Sequence, residues 1–244
     1  MFRRFITNCI APLILLCVAC AAPSALGADA TLLIQDSRIT GPQNVYITPK
    51  ALRIDNQKTG TTLVCKAPKW ELDIYNKRNR TSYHCAAEAF KASFFNTLTK
   101  LYREALTPVK WKKTGVETRQ GLEILKFGVR LDMKHSHLDL MRGDVRSAEY
   151  YVCPGLKLPD KACNVLATLY SMPLFGDVPI SCTFYGDRGE TLYALSTKDV
   201  KKISVVDPFF DLPKFTAAKS EREVFIDPKA QEAMEEMFGE PPSP

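Results

Sequence analysis

The chain has 244 residues and a formal net charge of +6, and 25% of its residues are charged. No cluster of Lys and Arg is interleaved with aromatic residues, so the composition argues against nucleic-acid binding. The length suits one large domain or two small ones.

Residues 1–27 have the three parts of a secretory signal peptide. Arg3 and Arg4 form a basic head, residues 9–22 are apolar and uncharged, and residues 24–28 are small or apolar. The apolar run is shorter than the roughly 20 residues that span a bilayer, which disfavours a permanent membrane helix. We expect cleavage after Gly27, or one residue later, and release of the mature chain into a bacterial periplasm.

A lipid anchor is the alternative N-terminal processing. Cys20 follows the small residue Ala19, as in a lipoprotein signal, although Cys17 stands where such signals have Leu. Cleavage before Cys20 would leave the protein anchored to a membrane through that cysteine.

The first part of the mature chain alternates short β-prone runs with turn residues. The runs are residues 30–36, 44–48, 51–55, 61–65, 70–75 and 80–85. In the fifth run, Trp70, Leu72 and Ile74 share one face. This pattern predicts a meander of antiparallel strands, each with one apolar face.

Residues 86–106 change to helical spacing and predict an amphipathic helix of about five turns, ended by Pro108. Its apolar face carries Phe90, Phe94, Leu98 and Leu101, with Phe95 at the border.

Further elements follow in the same manner to the end of the chain. The predicted strands are residues 122–133, 147–153, 178–185, 192–197 and 200–206, with a helix at 160–172 and a hairpin turn at 186–189. Residues 209–215 are a loop or edge segment, a last acidic helix opens at Asp227, and residues 241–244 are a disordered tail. The fold class is therefore α+β, with residues 28–240 forming one domain around a curved antiparallel sheet.

The sequence carries no catalytic signature of the common hydrolase, zinc-protease or nucleotide-binding types. His135 and His137 would lie on one side of a strand, but a bound metal needs three or four ligands, so a solvated loop is the better interpretation. We assign no catalytic residue, metal or cofactor.

Aromatic residues gather where the predicted strands meet the first helix. They are either ordinary core or the lining of an apolar cavity of the kind that lipid-like ligands occupy. The candidate lining residues are Trp70, Leu72, Ile74, Phe90, Phe94, Phe95 and Trp111.

Five cysteines remain after residue 27, so at least one thiol is unpaired or intermolecular. Cys153 and Cys163 are joined by a short segment that can fold back, and we predict a disulfide between them. Cys65 and Cys85 should lie too far apart in the meander for a bridge, which needs Cα atoms within about 7 Å.

Residues 45–54, 61–65 and 70–77, and later 179–183, 195–197 and 209–215, resemble the sheet of LolA-like periplasmic lipoprotein carriers. The resemblance implies an unclosed half-barrel, with helices on its concave side as a lid over an apolar cavity. Those carriers depend on an arginine on an inner strand, for which Arg53 is the nearest position. The helix at 86–106 and the lysine-rich residues 110–113 depart from the carrier pattern.

The expected function is a periplasmic, non-enzymatic binding or carrier protein for a lipid-like ligand or a lipoprotein acyl chain, without a cofactor. The first alternative is an envelope interaction or sensor domain with the same fold, a filled core and a protein partner. The second is an envelope hydrolase whose site is assembled from distant residues.

Overall fold

The computed structural model describes residues 27–92, 109–133 and 144–225. Within these ranges, twelve strands form one unclosed sheet in the order β12-β6-β5-β4-β3-β2-β1-β11-β10-β9-β8-β7. Neighbouring strands are antiparallel, except that β12 runs parallel to β6. The predicted antiparallel, unclosed sheet is therefore confirmed.

The first half of the sheet is the predicted meander. Its strands are β1 (Ala28–Ser37), β2 (Gly41–Thr48), β3 (Ala51–Asn56), β4 (Thr61–Lys66), β5 (Glu71–Asn76) and β6 (Thr81–Cys85). Polar side chains close the turns: the Asn56 side-chain oxygen accepts hydrogen bonds from the backbone N–H groups of Lys58 and Thr59, at 2.9 and 2.8 Å. Such local bonds favour turns over strand continuation, which is why the turn residues marked the strand ends correctly.

The second half comprises β7 (Lys112–Arg119), β8 (Leu122–Met133), β9 (Val145–Cys153), β10 (Val178–Gly186) and β11 (Thr191–Val205), and a two-residue β12 (Thr216–Ala217) closes the far edge. Strand β11 joins the halves, because it pairs with β10 on one side and with β1 on the other. The sequence predicted two strands here. A bulge at Lys198, opposite the step from Ile34 to Gln35, interrupts the alternation inside one continuous strand.

Two α-helices lie in the described residues: α1 (Asp160–Tyr170) and the short α2 (Glu221–Phe225). Helix α1 ends two residues before the predicted boundary, because Ser171 adopts a left-handed conformation (φ 57°, ψ 38°).

The predicted helix at 86–106 does not begin at residue 86. The chain makes a 3₁₀ turn at Ala87–Ala89, becomes extended at Phe90 and turns left-handed at Ala92, with φ 49°. No side chain caps the turn, and an αL residue does not continue a right-handed helix. Phe94 and Phe95 lie outside the described residues, as do the signal peptide, His135, His137 and the final acidic helix.

The sheet is apolar on both faces over its first half. One face carries the main core, which includes residues of α1 and α2. The other face carries a smaller cluster that the segment after β11 covers: Phe209 packs on Tyr46 at 4.7 Å between ring centroids, and Phe215 packs on Tyr75 at 6.0 Å. The segment predicted as a loop or edge therefore crosses the face opposite the helices.

The structure does not contain the predicted Cys153–Cys163 bridge, and all five cysteines in the described residues are free thiols there. The Cys163 thiol lies 3.8 Å from the carbonyl oxygen of Leu158, and the Cys153 sulfur faces backbone N–H groups of the segment between them. Cys65 and Cys85 both lie opposite Leu72, so the whole of β5 separates them. The predicted wide separation of Cys65 and Cys85 in the meander is confirmed.

Candidate functional site: an aromatic cleft at the end of helix α1

A cleft of about 600 Å³ opens where the end of α1 meets the start of β7. Thr168 on the helix, the segment from Met172 to Phe175, and Val109 and Trp111 before β7 form most of its wall. The segment just after β6 completes it with Glu88, Phe90 and Lys91. Apolar and aromatic side chains predominate, with the two charged residues among the rest.

The wall is built on four packed aromatic rings. The ring of Phe175 lies 4.6 Å from that of Phe127, 5.3 Å from that of Tyr150 and 6.2 Å from that of Trp111, between centroids. Phe127 and Tyr150 are directly opposite each other on β8 and β9, so they share a face of the sheet. The sheet therefore fixes Phe175, and Phe175 in turn supports Trp111 at the cleft.

A left-handed residue and two hydrogen bonds fix the segment that follows α1. Left-handed Ser171 redirects the chain, and the Met172 N–H bonds the Ala167 carbonyl at 2.8 Å. The Tyr150 hydroxyl then donates to the Pro173 carbonyl at 3.4 Å. Burial raises the pKa of Tyr150 well above its usual value, so the hydroxyl stays protonated as a donor.

A buried polar network anchors α1 over the sheet. The Tyr170 hydroxyl lies 2.7 Å from the side-chain oxygen of Gln35 and 3.1 Å from that of Gln43. Both glutamines are almost fully buried, on neighbouring strands β1 and β2. Because buried polar groups need such partners, this network specifies where the helix ends and hence where the cleft begins.

The two charged residues of the cleft differ in their partners. Glu88 pairs with Lys161 of α1 at 2.6 Å, and this bond lowers the Glu88 pKa. Lys91 is exposed and has no carboxylate within 4 Å among the residues that the structure describes.

The structure brings two of the predicted lining residues, Phe90 and Trp111, together at this cleft. Leu72 and Ile74 are fully buried in the core, and the described wall of the cleft does not include them. Trp70 sits in the turn before β5 with φ 57° and packs on the edge of the core, away from the cleft.

Sequence reasoning missed Met172, Leu174 and Phe175. They follow the C-cap of α1: Met172 is the last residue of the predicted helix, and Leu174 and Phe175 lie in neither a helical nor a strand pattern. Their one signal was three large apolar side chains within four residues next to Pro173, and Leu174 is indeed 59% exposed.

Arg53 does not face the cleft. Its guanidinium bonds Asp55 at 2.9 and 3.1 Å and the Phe209 carbonyl, and it lies 4.2 Å from the centroid of the Phe209 ring. These contacts hold the segment after β11 on the face opposite the helices. In this chain Arg53 therefore has a structural role.

No group of three or more His, Cys, Asp or Glu side chains within the described ranges is arranged to hold a metal. His84 is exposed, with its Nδ1 2.7 Å from Asp73 and its Nε2 3.7 Å from Glu71. No helix in the described part of the chain is long and apolar enough to cross a bilayer.

Comparisons with known proteins found no matching family model and no matching curated protein. Solved structures that resemble the chain include an uncharacterized conserved protein from Thermus thermophilus (14% identity, 80% of this chain, 91% of that chain, TM-score 0.40). They also include the lipoprotein LppX of Mycobacterium tuberculosis (12%, 72%, 89%, 0.25) and a LolA superfamily protein from Nitrosomonas europaea (6%, 84%, 91%, 0.21). The Nitrosomonas europaea protein bears the name of the family that the sequence pattern resembles. All three TM-scores are below 0.5, so the function is inferred below from the side chains of this chain.

Proposed function

We propose that the chain is a non-enzymatic binding or carrier protein that takes the hydrocarbon part of a lipid-like ligand into the aromatic cleft at the end of α1. The observation that carries this proposal is the cleft itself, whose wall is formed mostly by apolar and aromatic side chains and whose volume is about 600 Å³. Pockets of about 300–1,000 Å³ with apolar walls and few polar groups are typical of sites for small hydrophobic ligands.

The exposure of Leu174 supports the same proposal. A leucine that is 59% exposed beside a Trp and a Phe leaves apolar surface in contact with water. Covering such surface contributes about 25 cal/mol per Å², so an acyl chain in the cleft is stabilised without specific polar contacts.

The location and architecture in the proposal come from the sequence pattern. Residues 1–27 would direct export to the periplasm, and residues 28–240 would form the mature domain. Helix α1 would lie on the concave side of a half-barrel, with the cleft at the edge of the cavity. A lipoprotein acyl chain is one ligand that fits this description, and binding would need no cofactor.

Binding of the uncharged dye N-phenyl-1-naphthylamine to the delipidated mature protein tests the proposal. We expect saturable fluorescence enhancement, and Leu174→Glu should weaken it about tenfold or more, because a carboxylate in an apolar cleft loses hydration. Leu174 is largely exposed, so the variant should fold. Leu212→Glu is the matched control, since Leu212 is also exposed, at 43%, and does not line the cleft.

Two results would contradict the proposal. If the wild-type protein bound no hydrophobic dye, the alternative of an interaction domain with a protein partner would be favoured. If Leu174→Glu and Leu212→Glu weakened dye binding equally, the binding site would lie elsewhere.

A further inference from the structure

Four lysines near the cleft are exposed and have no carboxylate within 4 Å among the described residues: Lys91, Lys110, Lys112 and Lys113. Elsewhere on the surface, exposed lysines are mixed: Lys66 pairs with Asp211 at 2.8 Å and Lys198 with Asp36 at 2.7 Å, whereas others, such as Lys77, have no carboxylate within 4 Å among the described residues. Among the residues that the structure describes, these four lysines therefore carry positive charge that no adjacent carboxylate balances.

Two of the four lysines lie on the cleft side of the sheet. Lys91 is part of the cleft wall. Lys113 lies opposite Phe127 in the pairing of β7 with β8, and side chains that face each other across strands share a face. Phe127 packs on Phe175 of the cleft wall at 4.6 Å between ring centroids.

The other two lysines lie on the opposite side. Lys112 is paired with Gly128 and directly precedes Lys113 on β7, so the two side chains point to opposite faces of the sheet. Lys110 and Lys112 both line a separate hollow together with Gly128 and Glu149. Lys91 is therefore the lysine in the cleft wall, and Lys113 is the lysine of β7 on the same side of the sheet, outside that wall.

We infer that the ligand is an anionic amphiphile, whose acyl chain occupies the cleft and whose carboxylate or phosphate head is held by Lys91 and Lys113. This inference rests on the proposed function and adds the charge of the head group to it. An ammonium group is a good partner for either anion. The cleft's own carboxylate, Glu88, is already neutralised by Lys161 at 2.6 Å and does not oppose the anion.

A matched pair of fluorescent ligands tests the inference: cis-parinaric acid and its methyl ester, which share one polyene chain and differ in head-group charge. We expect the acid to bind at least about fivefold more tightly at low ionic strength, with the difference shrinking as salt screens the charges. Lys91→Gln and Lys113→Gln should each weaken binding of the acid by about two- to fivefold and leave the ester unaffected.

Two control variants make the result specific. Lys91→Arg keeps the charge and should keep most of the affinity for the acid. Lys77→Gln removes an exposed lysine from the turn between β5 and β6, remote from the cleft, and should bind both ligands like the wild-type protein.

Equal affinity for acid and ester, or an equal loss in Lys77→Gln and Lys91→Gln, would overturn the anionic head group and leave the proposed function standing. Failure to bind either ligand, together with failure to bind the uncharged naphthylamine dye, would remove both.

Discussion

Tyr170 and Gln35 are joined by a buried hydrogen bond of 2.7 Å, although 135 residues separate them in sequence. Tyr170 is the last residue of α1 and Gln35 lies in β1. The Gln35 amide nitrogen in turn donates to the Pro179 carbonyl and to the Thr197 hydroxyl, each at 2.9 Å. One glutamine side chain therefore connects the helix to three strands from both halves of the sheet.

Tyr170→Phe should destabilise the protein by about 1–3 kcal/mol, because the side-chain oxygens of Gln35 and Gln43 lose a buried donor while the ring still fills its space. Urea unfolding followed by circular dichroism measures the change. Tyr193→Phe is the matched control, because Tyr193 is 64% exposed, and it should shift stability by less than about 0.5 kcal/mol. Equal midpoints for the two variants would show that the network contributes nothing to stability.

Arg53→Met should cost about 1.5–3 kcal/mol, since it removes charged hydrogen bonds to Asp55 and to the Phe209 carbonyl from a side chain that is only 8% exposed. Affinity for a hydrophobic dye should stay at the wild-type value, because Arg53 lies on the face opposite the helices. Lys198→Met, which breaks an exposed pair with Asp36, should change stability by less than about 1 kcal/mol. Loss of dye binding in folded Arg53→Met would instead give Arg53 the ligand-binding role that the resemblance implies.

The meander could be predicted because its signals are local. In residues 71–74 the burial follows the alternation of the sequence, with Leu72 and Ile74 fully buried. The side-chain oxygen of Asn56, which closes the turn after β3, accepts hydrogen bonds from backbone groups two and three residues away. A structural pattern whose residues and hydrogen-bond partners lie within a few positions of one another can be predicted without knowledge of the rest of the chain.

The missed features depend on partners that are distant in sequence. The bulge in β11 is defined by the pairing of β11 with β1. In the sequence alone, the break in alternation at this point predicts the end of a strand. The cleft likewise depends on Phe175 meeting Phe127 and Tyr150, which come from strands far earlier in the chain. Trp111 and Phe90 were identified as candidates by residue type, but Met172, Leu174 and Phe175 were not.

Alkylation without a reductant should modify each of the five cysteines in the described residues once the protein is denatured, because the structure has each as a free thiol. Mass spectrometry after iodoacetamide treatment counts them. The native protein should react far more slowly, since four of the five thiols are buried. A count of three modified cysteines, with Cys153 and Cys163 unmodified, would restore the predicted bridge.

Stability should fall as pH rises above about 9, with the buried thiols contributing to the fall. Burial raises the pKa of Cys65 from 9.0 to about 12, so the folded protein holds this proton after the unfolded chain has released it. The unfolded state therefore gains stability relative to the folded state between these two values. Cys65→Ala should show a shallower decline in urea midpoint across this range than the wild-type protein.

Leu63→Ala is the control for the cavity that Cys65→Ala creates, since Leu63 is equally buried on the same strand. It should lower the midpoint at every pH and keep the wild-type slope. Parallel curves for Cys65→Ala and the wild-type protein would mean that the thiol does not titrate differently on unfolding.

A brominated acyl chain should quench one of the two tryptophans selectively. Trp111 lines the aromatic cleft, whereas Trp70 sits in the turn before β5 and is absent from the described wall. Bromine quenches only at close contact, so dibromostearate should reduce the emission of Trp70→Phe strongly and that of Trp111→Phe little. Stearate without bromine, titrated in parallel, corrects for changes caused by occupancy alone. Quenching that survived in Trp111→Phe and vanished in Trp70→Phe would place the hydrocarbon chain at the edge of the core beside β5, away from the end of α1.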